Sequence, residues 1–359
     1  MNQVHPHNPQ IRLSHLSIKN FKGIEEVEID FPEPQLNGDP DIMVMGSRNG
    51  LGKTSIFEAC SLLFLYIFGS DRFRDMVSQV SRYGISINIP DLLIRSGIDK
   101  FDISGQVTIE NKVYSPKITF SRNGKFKLEN EIPKSLTKMY DYNIIDYFHT
   151  MLGLQPNPLI ISNFIYFHSH RKIQEGSLEL GNMLDDNTSI GINNKNSILR
   201  RNSNIKSTFK QEILRLLMSR GGLFESSNEQ KAELILNKLN DLVEEYANGR
   251  IEKLKALPDS TIEFLVTPSN GGESFNFDGL SSGQKEIIST LFLIWNYTEN
   301  NPGLILIDEP ELHLNSQWHR PFIKNLYKLA PNNQYIIATH SEDIFDSVDA
   351  DRRILLSDD

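Results

Sequence analysis

Cysteine is nearly absent: Cys60 is the only one in 359 residues. A single thiol excludes a disulfide framework and any multi-thiolate metal site, and it fits a reducing compartment. Long apolar runs are missing as well. The most hydrophobic stretch, residues 62–68, is far shorter than the roughly 20 residues that span a bilayer. Residues 1–10 are polar and lack the apolar stretch of a secretory signal, so a cytoplasmic location is expected. Basic residues are in deficit, with 37 Lys and Arg against 46 Asp and Glu and a formal net charge of −9. That balance argues against a protein that coats nucleic acid over its whole surface. Nor is the chain poor in apolar residues, as a disordered one would be: 39% are hydrophobic and 23% charged. What remains is a globular protein long enough to bury a core without covalent staples.

The patterning gives its organisation. Two bursts of alternation within residues 11–31 read as strands joined by a turn at Lys22-Gly23. Residues 42–45 form a compact apolar strand, and residues 56–68 a largely buried helix in which Cys60 is a core residue. From residue 85 to 130 the period is mostly two, with a hairpin turning at Asn123-Gly124. Residues 159–167 read as one more buried strand. Residues 182–204, rich in Asn, Ser and Asp, read as a surface segment. Two amphipathic helices follow, on Phe209, Ile213, Leu216 and Leu217, then on Ala232, Ile235, Leu239, Leu242, Val243 and Tyr246. Residues 262–266 return to strand. The last ninety or so residues alternate helix and strand, which predicts a parallel sheet with covering helices. The division predicted is 1–70 and 259–359 for the two halves of one core, 71–180 for a β-rich lobe and 181–258 for a helical insertion.

Ile42-Met-Val-Met-Gly-Ser-Arg-Asn-Gly-Leu-Gly-Lys-Thr-Ser55 is a strand, a glycine-rich turn and a helix start, the setting a nucleotide phosphate loop requires. Asn49, Gly50 and Gly52 let successive N–H groups face one anion, and the helix dipole adds to the attraction. Lys53 is placed to bridge the β- and γ-phosphates, Thr54 to put its hydroxyl on Mg²⁺, and Ser55 stands beside them. The first glycine of the usual spacing falls on Ser47, with Gly46 one place earlier.

Two apolar runs end in chemistry. Gly303-Leu-Ile-Leu-Ile-Asp-Glu-Pro310 delivers Asp308 to the carboxyl end of a strand, where it can hold Mg²⁺, with Glu309 next in line as general base for the attacking water. Gln334-Tyr-Ile-Ile-Ala-Thr-His-Ser341 places His340 at a second strand end, where an imidazole can bond to the γ-phosphate and sense its loss. His168 and His170 show no third ligand and read as polar surface residues.

Phe277-Asp-Gly-Leu-Ser-Ser-Gly-Gln-Lys-Glu286 resembles the LSGGQ signature of ABC-class ATPases, on Leu280, Ser281, Ser282, Gly283 and Gln284. The opening Leu16-Ser-Ile-Lys-Asn-Phe-Lys-Gly-Ile24 looks like the first strand and turn of SMC, RecF and OLD-type ATPases. Asp308-Glu-Pro-Glu-Leu-His-Leu-Asn315 looks most like OLD-type and related phage-defence ATPases, although Asn315 and Ser316 replace that family's final His-Pro. The resemblance implies an α/β fold: an ABC/SMC-like P-loop ATPase head with a mixed sheet, an N-terminal antiparallel β subdomain and a helical insertion. It further implies ATP and Mg²⁺ as ligands and a homodimer or higher homo-oligomer in which Ser281, Gly283 and Gln284 of one copy face the nucleotide of another. By the same likeness Lys22 lies near the phosphates or base, and a glutamine of the insertion, Gln174 in preference to Gln79, contacts the metal.

The distance from the phosphate loop to the signature is far larger than in transporter ATPase subunits, which argues against transport. Nineteen residues follow His340, too few for the nuclease domain of OLD proteins. The resemblance to Septu-like and retron-linked systems then implies a separate nuclease or toxin partner in an anti-phage complex. A RecF- or SMC-like repair factor and a low-turnover scaffold stay open beside it. Residues 195–220 carry seven basic residues and one acid, so Lys195, Arg200, Arg201, Lys206 and Lys210 are candidates for DNA phosphate contact.

Overall fold

The computed structural model describes residues 10–36, 38–46, 52–68, 88–129, 132–133, 144–153, 157–161, 163–172, 178–179, 209–214, 229–256, 261–299, 301–312 and 314–356. They fall into two compact units, residues 1–171, 297–312 and 316–359 in the first and residues 172–296 and 313–315 in the second.

The first unit opens with β1 (Ile11–Phe21) and β2 (Ile24–Asp30), an antiparallel hairpin whose turn holds Lys22 at φ 51. Then come β3 (Ile42–Gly46), the helices α1 (Lys53–Phe68) and α2 (Ile89–Leu93), and strand β4 (Lys100–Ile109). β5 (Lys112–Tyr114), β6 (Lys117–Ser121) and β7 (Phe126–Glu129) extend the same antiparallel sheet, in the order β2-β1-β4-β6-β7 with β5 paired to β4. Helix α3 (Ile144–Met151) leads to β8 (Leu159–Ile161) and β9 (Phe164–Phe167). These two pair antiparallel, so the run 159–167 folds back on itself where one continuous strand was expected.

The second unit holds β10 (Leu178–Glu179), α4 (Glu229–Ala247), β11 (Gly249–Ala256), β12 (Thr261–Pro268) and β13 (Phe275–Asn276). Its four strands form a small antiparallel sheet, so this part of the insertion is not purely helical. Helix α5 (Ser282–Thr298) follows the signature.

The chain closes the first unit with β14 (Leu304–Asp308), α6 (Ser316–Leu329), β15 (Gln334–Thr339), α7 (Glu342–Phe345) and β16 (Arg353–Leu355). The resulting sheet runs β16-β3-β15-β14-β9-β8, parallel throughout except at β8. Every residue of β3, β14 and β15 is buried, as both-face coverage of a parallel sheet demands. This places β3, β15 and β14 side by side, with their carboxyl ends on one edge.

Helix α1 lies between the two sheets of the first unit, touching β1, β4 and β6 on one side and β8, β9 and β14 on the other. A helix covered all round must be apolar all round, which is why residues 56–68 show so little amphipathicity. Cys60 is buried there, and burial pushes its thiol pKa up, as expected of a core residue. Gln334 ties the sheets together a second time: its side chain accepts from the Leu13 N–H at 2.8 Å and donates to the Leu13 carbonyl at 2.7 Å. Gly303 is dictated by close approach, since a Cβ there would lie 1.7 Å from the Asn163 carbonyl oxygen.

Candidate functional site

β3 ends at Gly46, ahead of the glycine-rich turn read as a phosphate loop, and α1 begins at Lys53. Asn49 and Gly50 lie outside the described residues. Gly52 sits at φ +84, a left-handed conformation that glycine adopts without strain, with its Cα beside Ile24 of the β1–β2 hairpin. At the other end of the loop, the Phe345 ring occupies the space a Cβ on Gly46 would need, 2.6 Å away. Thr54 and Ser55 follow in the first turn of α1, both half-buried.

The exits of β14 and β15 meet this helix start. Thr54 Oγ1 donates to Asp308 Oδ2 at 2.8 Å. Asp308 is fully buried, and burial raises its pKa to about 7 against the Thr54 hydrogen bond and the Arg171 charge, which lower it. Its other oxygen, Oδ1, is buried with no hydrogen-bond partner among the described residues. An orphaned carboxylate oxygen beside a hydroxyl is a hard-oxygen pair that fits a divalent cation.

Lys53 is also buried, with Nζ 2.8 Å from His340 Nε2. Burial lowers its pKa, while Glu309, Asp308 and Glu311 oppose that and favour the ammonium. His340 Nε2 in turn stands 3.2 Å from Glu309 Oε1. Glu309 has φ +46, rare for a residue with a Cβ, and its N–H donates to the Ala338 carbonyl at 2.8 Å. The strained turn separates two adjacent acids: Asp308 points into the sheet's edge, and Glu309 faces the imidazole. Lys53, Thr54, Asp308, Glu309 and His340, read from three distant motifs, therefore converge.

Three residues of this neighbourhood were not singled out from the sequence. Arg171, buried after β9, donates from Nη1 to the Asp308 carbonyl at 2.7 Å and the His168 carbonyl at 2.9 Å. Glu311 receives the His340 N–H and the Thr339 hydroxyl. Glu58, one turn beyond Thr54 and buried, takes the Lys22 ammonium at 2.5 Å, while burial raises its pKa against that charge. Lys22 therefore pairs with α1, at the turn that packs Ile24 on Gly52.

The signature caps a helix in the second unit. Gln284 N–H donates to Ser281 Oγ at 3.3 Å and Ser281 N–H to Gln284 Oε1 at 3.0 Å, a reciprocal capping box. Gln284 Nε2 is anchored on the Tyr246 carbonyl at 3.0 Å. Gly283 is half-buried and Ser281 exposed at the helix start.

Two sequence readings are corrected. His168 is not a surface residue: it is 1% exposed, with Nε2 3.0 Å from the Asn157 carbonyl oxygen. Lys210 is no exposed phosphate contact, because it is 3% exposed and pairs with Asp278 at 2.6 Å. Its helical turn buries Phe209 against Phe277 and Phe292, which draws the lysine inward. Gln174, Gln79, Lys195, Arg200, Arg201 and Lys206 lie outside the described residues.

Residues 123–345 match the AAA ATPase domain family. The match takes in Leu280–Gln284, both strand exits and His340, and begins beyond the glycine-rich turn before Lys53. The Retron Vc95 probable ATPase of Vibrio cholerae serotype O1 biovar El Tor is 23% identical over 403 aligned positions, covering 96% of this chain and 73% of that protein. The Septu protein PtuA of Bacillus thuringiensis is 34% identical over 101 residues, 25% of each chain. Among solved structures, an SMC head bound to the C-terminal winged-helix domain of ScpA superposes with a TM-score of 0.52 at 14% identity, covering 96% of this chain and 92% of that one. That likeness establishes the predicted head fold. The chain belongs to the AAA ATPase domain family, and it is an ATPase.

Proposed function

We propose that this member of the AAA ATPase domain family binds and hydrolyses ATP with Mg²⁺, dimerises around the nucleotide, and serves as the regulatory subunit of an anti-phage complex. The observation that carries the reading is the convergence of Lys53, Thr54, Asp308, Glu309 and His340 on one sheet edge.

Thr54 Oγ1 and Asp308 Oδ1 are the groups that would hold Mg²⁺, and the ion supplies charge neutralisation for the phosphates. Lys53 binds the β- and γ-phosphate oxygens. Glu309 takes a proton from the water that attacks the γ-phosphorus, the bond to the β–γ bridging oxygen breaks, and ADP and phosphate leave. His340, already in contact with both Lys53 and Glu309, changes partner as the γ-phosphate goes. Ser281, Gly283 and Gln284 of a second copy would meet that phosphate through the helix N-terminus they cap. Relatives named as retron ATPases and as a Septu protein support the defence role, with a separate nuclease or toxin as effector.

The test is mass measurement of Glu309→Gln with ATP and Mg²⁺. A dimer that persists with ATP and dissociates with ADP supports the reading. A monomer under both conditions, with normal ATP binding, sinks the dimer.

A further inference from the structure

We propose that Glu311 is the positioning residue of His340: its carboxylate sets where the imidazole stands between Lys53 and Glu309. The proposal rests on the hydrolytic reading of Glu309 and His340.

The local chain explains the aim of the side chain. β14 ends at Asp308, the left-handed Glu309 turns the backbone, and Pro310–Leu312 completes one tight turn closed by Leu312 N–H on the Glu309 carbonyl at 3.2 Å. Glu311 is thereby carried across to the neighbouring strand. Its Oε1 accepts the His340 N–H at 2.5 Å, and its Oε2 accepts the Thr339 hydroxyl at 2.8 Å.

His340 lies one residue past the ladder, because Thr339 is the last residue of β15 paired with β3. A backbone amide there has no strand partner, and the carboxylate takes that place. Thr339 is held from both sides, since its Oγ1 also accepts the Ser341 N–H at 3.0 Å. With the Glu309–Ala338 bond, the two strand exits are joined at three points within three residues on each side, 309–311 and 338–340.

The same carboxylate contributes charge, adding to Glu309 and Asp308 in favouring the Lys53 ammonium. Geometry and charge are separable. Glutamine in place of Glu311 keeps an acceptor for the His340 N–H and a donor for Thr339 Oγ1, but carries no charge. Alanine keeps neither.

The experiment compares Glu311→Ala, Glu311→Gln, His340→Ala and the double alanine variant of the full chain. Steady-state ATP hydrolysis and the NMR imidazole signal of His340, assigned by its loss in His340→Ala, are measured for each. Glu311→Ala is expected to lower kcat about 10²-fold with KM changed less than about threefold. Glu311→Gln is expected to stay near the parent. The double variant is expected within about twofold of His340→Ala, because both act through one group. The His340 signal, recorded without nucleotide, moves in Glu311→Ala and stays in Glu311→Gln.

Multiplying losses in the double variant, equal failure of the glutamine and alanine variants, or an unmoved His340 signal in Glu311→Ala would each overturn the proposal. Absence of ATP hydrolysis by the parent chain would instead remove the hydrolytic reading. The imidazole signal would then still decide whether Glu311 positions His340.

Discussion

Thr54 donates its hydroxyl to Asp308 across 254 residues of chain, at 2.8 Å, and leaves the second carboxylate oxygen of Asp308 buried and unpartnered among the described residues. One bond thus joins the start of α1 to the end of β14, and the orphaned atom is the one proposed above to hold Mg²⁺.

Asp308 gives a pH signature. Its proton leaves at about 7 in the fold and near the ordinary 3.8 when unfolded, so the folded state holds the extra proton between those values. Stability is full below 3.8 and falls as pH rises through 7, by up to about 1.4 kcal/mol per unit. Thermal melts in a chelator from pH 5 to 8 should show a falling midpoint, and Asp308→Asn should flatten it. A parent curve with no slope in that window contradicts the burial argument.

If Lys53 binds the phosphates as proposed, Lys53→Ala should weaken ATP binding at least about 10²-fold, since a buried ammonium is lost. A fluorescent ATP analogue reports the affinity. Hydrolysis at the parent's rate in this variant would mean that the phosphate site lies elsewhere.

Gly303→Ala should cost more than about 3 kcal/mol, because the methyl group meets the backbone of Asn163 and no flexible side chain can yield. Urea unfolding is the measurement, and an unchanged midpoint refutes the close approach.

Gln334→Ala should destabilise the first unit by roughly 2–4 kcal/mol, leaving a buried N–H and carbonyl of Leu13 unpaired. Gln334→Glu should be worse, since a carboxylate cannot donate to the Leu13 carbonyl. Equal stability of all three proteins would show that the side-chain bonds are dispensable.

The readable parts of this molecule were those written in consecutive residues. Strand, turn and helix around Lys53, the apolar runs that end at Asp308 and His340, and the capped helix after Ser281 each carry their own local signal. Residues 159–167 misled because the polar pair Ser162-Asn163 inside an otherwise apolar run was read as strand interior, whereas β8 and β9 pair antiparallel on either side of it. α2 lies inside the stretch 85–130 read as period two, and its five residues are too few to show a helical period, with Pro90 suiting the helix start. Arg171 and Glu311 had no local signal at all. Their partners lie 137 and 29 residues away, and only the parallel pairing of β9, β14 and β15 brings them together. Lys210 shows the converse: a charge counted as surface because residues 195–220 are basic as a whole, although its neighbour in space is Asp278.

The displaced glycine of the phosphate loop acquires a reason from Phe345. The aromatic ring fills the volume a side chain at residue 46 would claim. Residue 46 closes β3 and residue 345 closes α7, the helix after His340, so a strand exit and a helix end share one small volume. Positions 46 and 345 therefore trade size: among relatives, a larger residue at the first calls for a smaller one at the second. The pair is a covariation that sequences alone can check, and it ties the spelling of the phosphate loop to a ring nearly three hundred residues downstream.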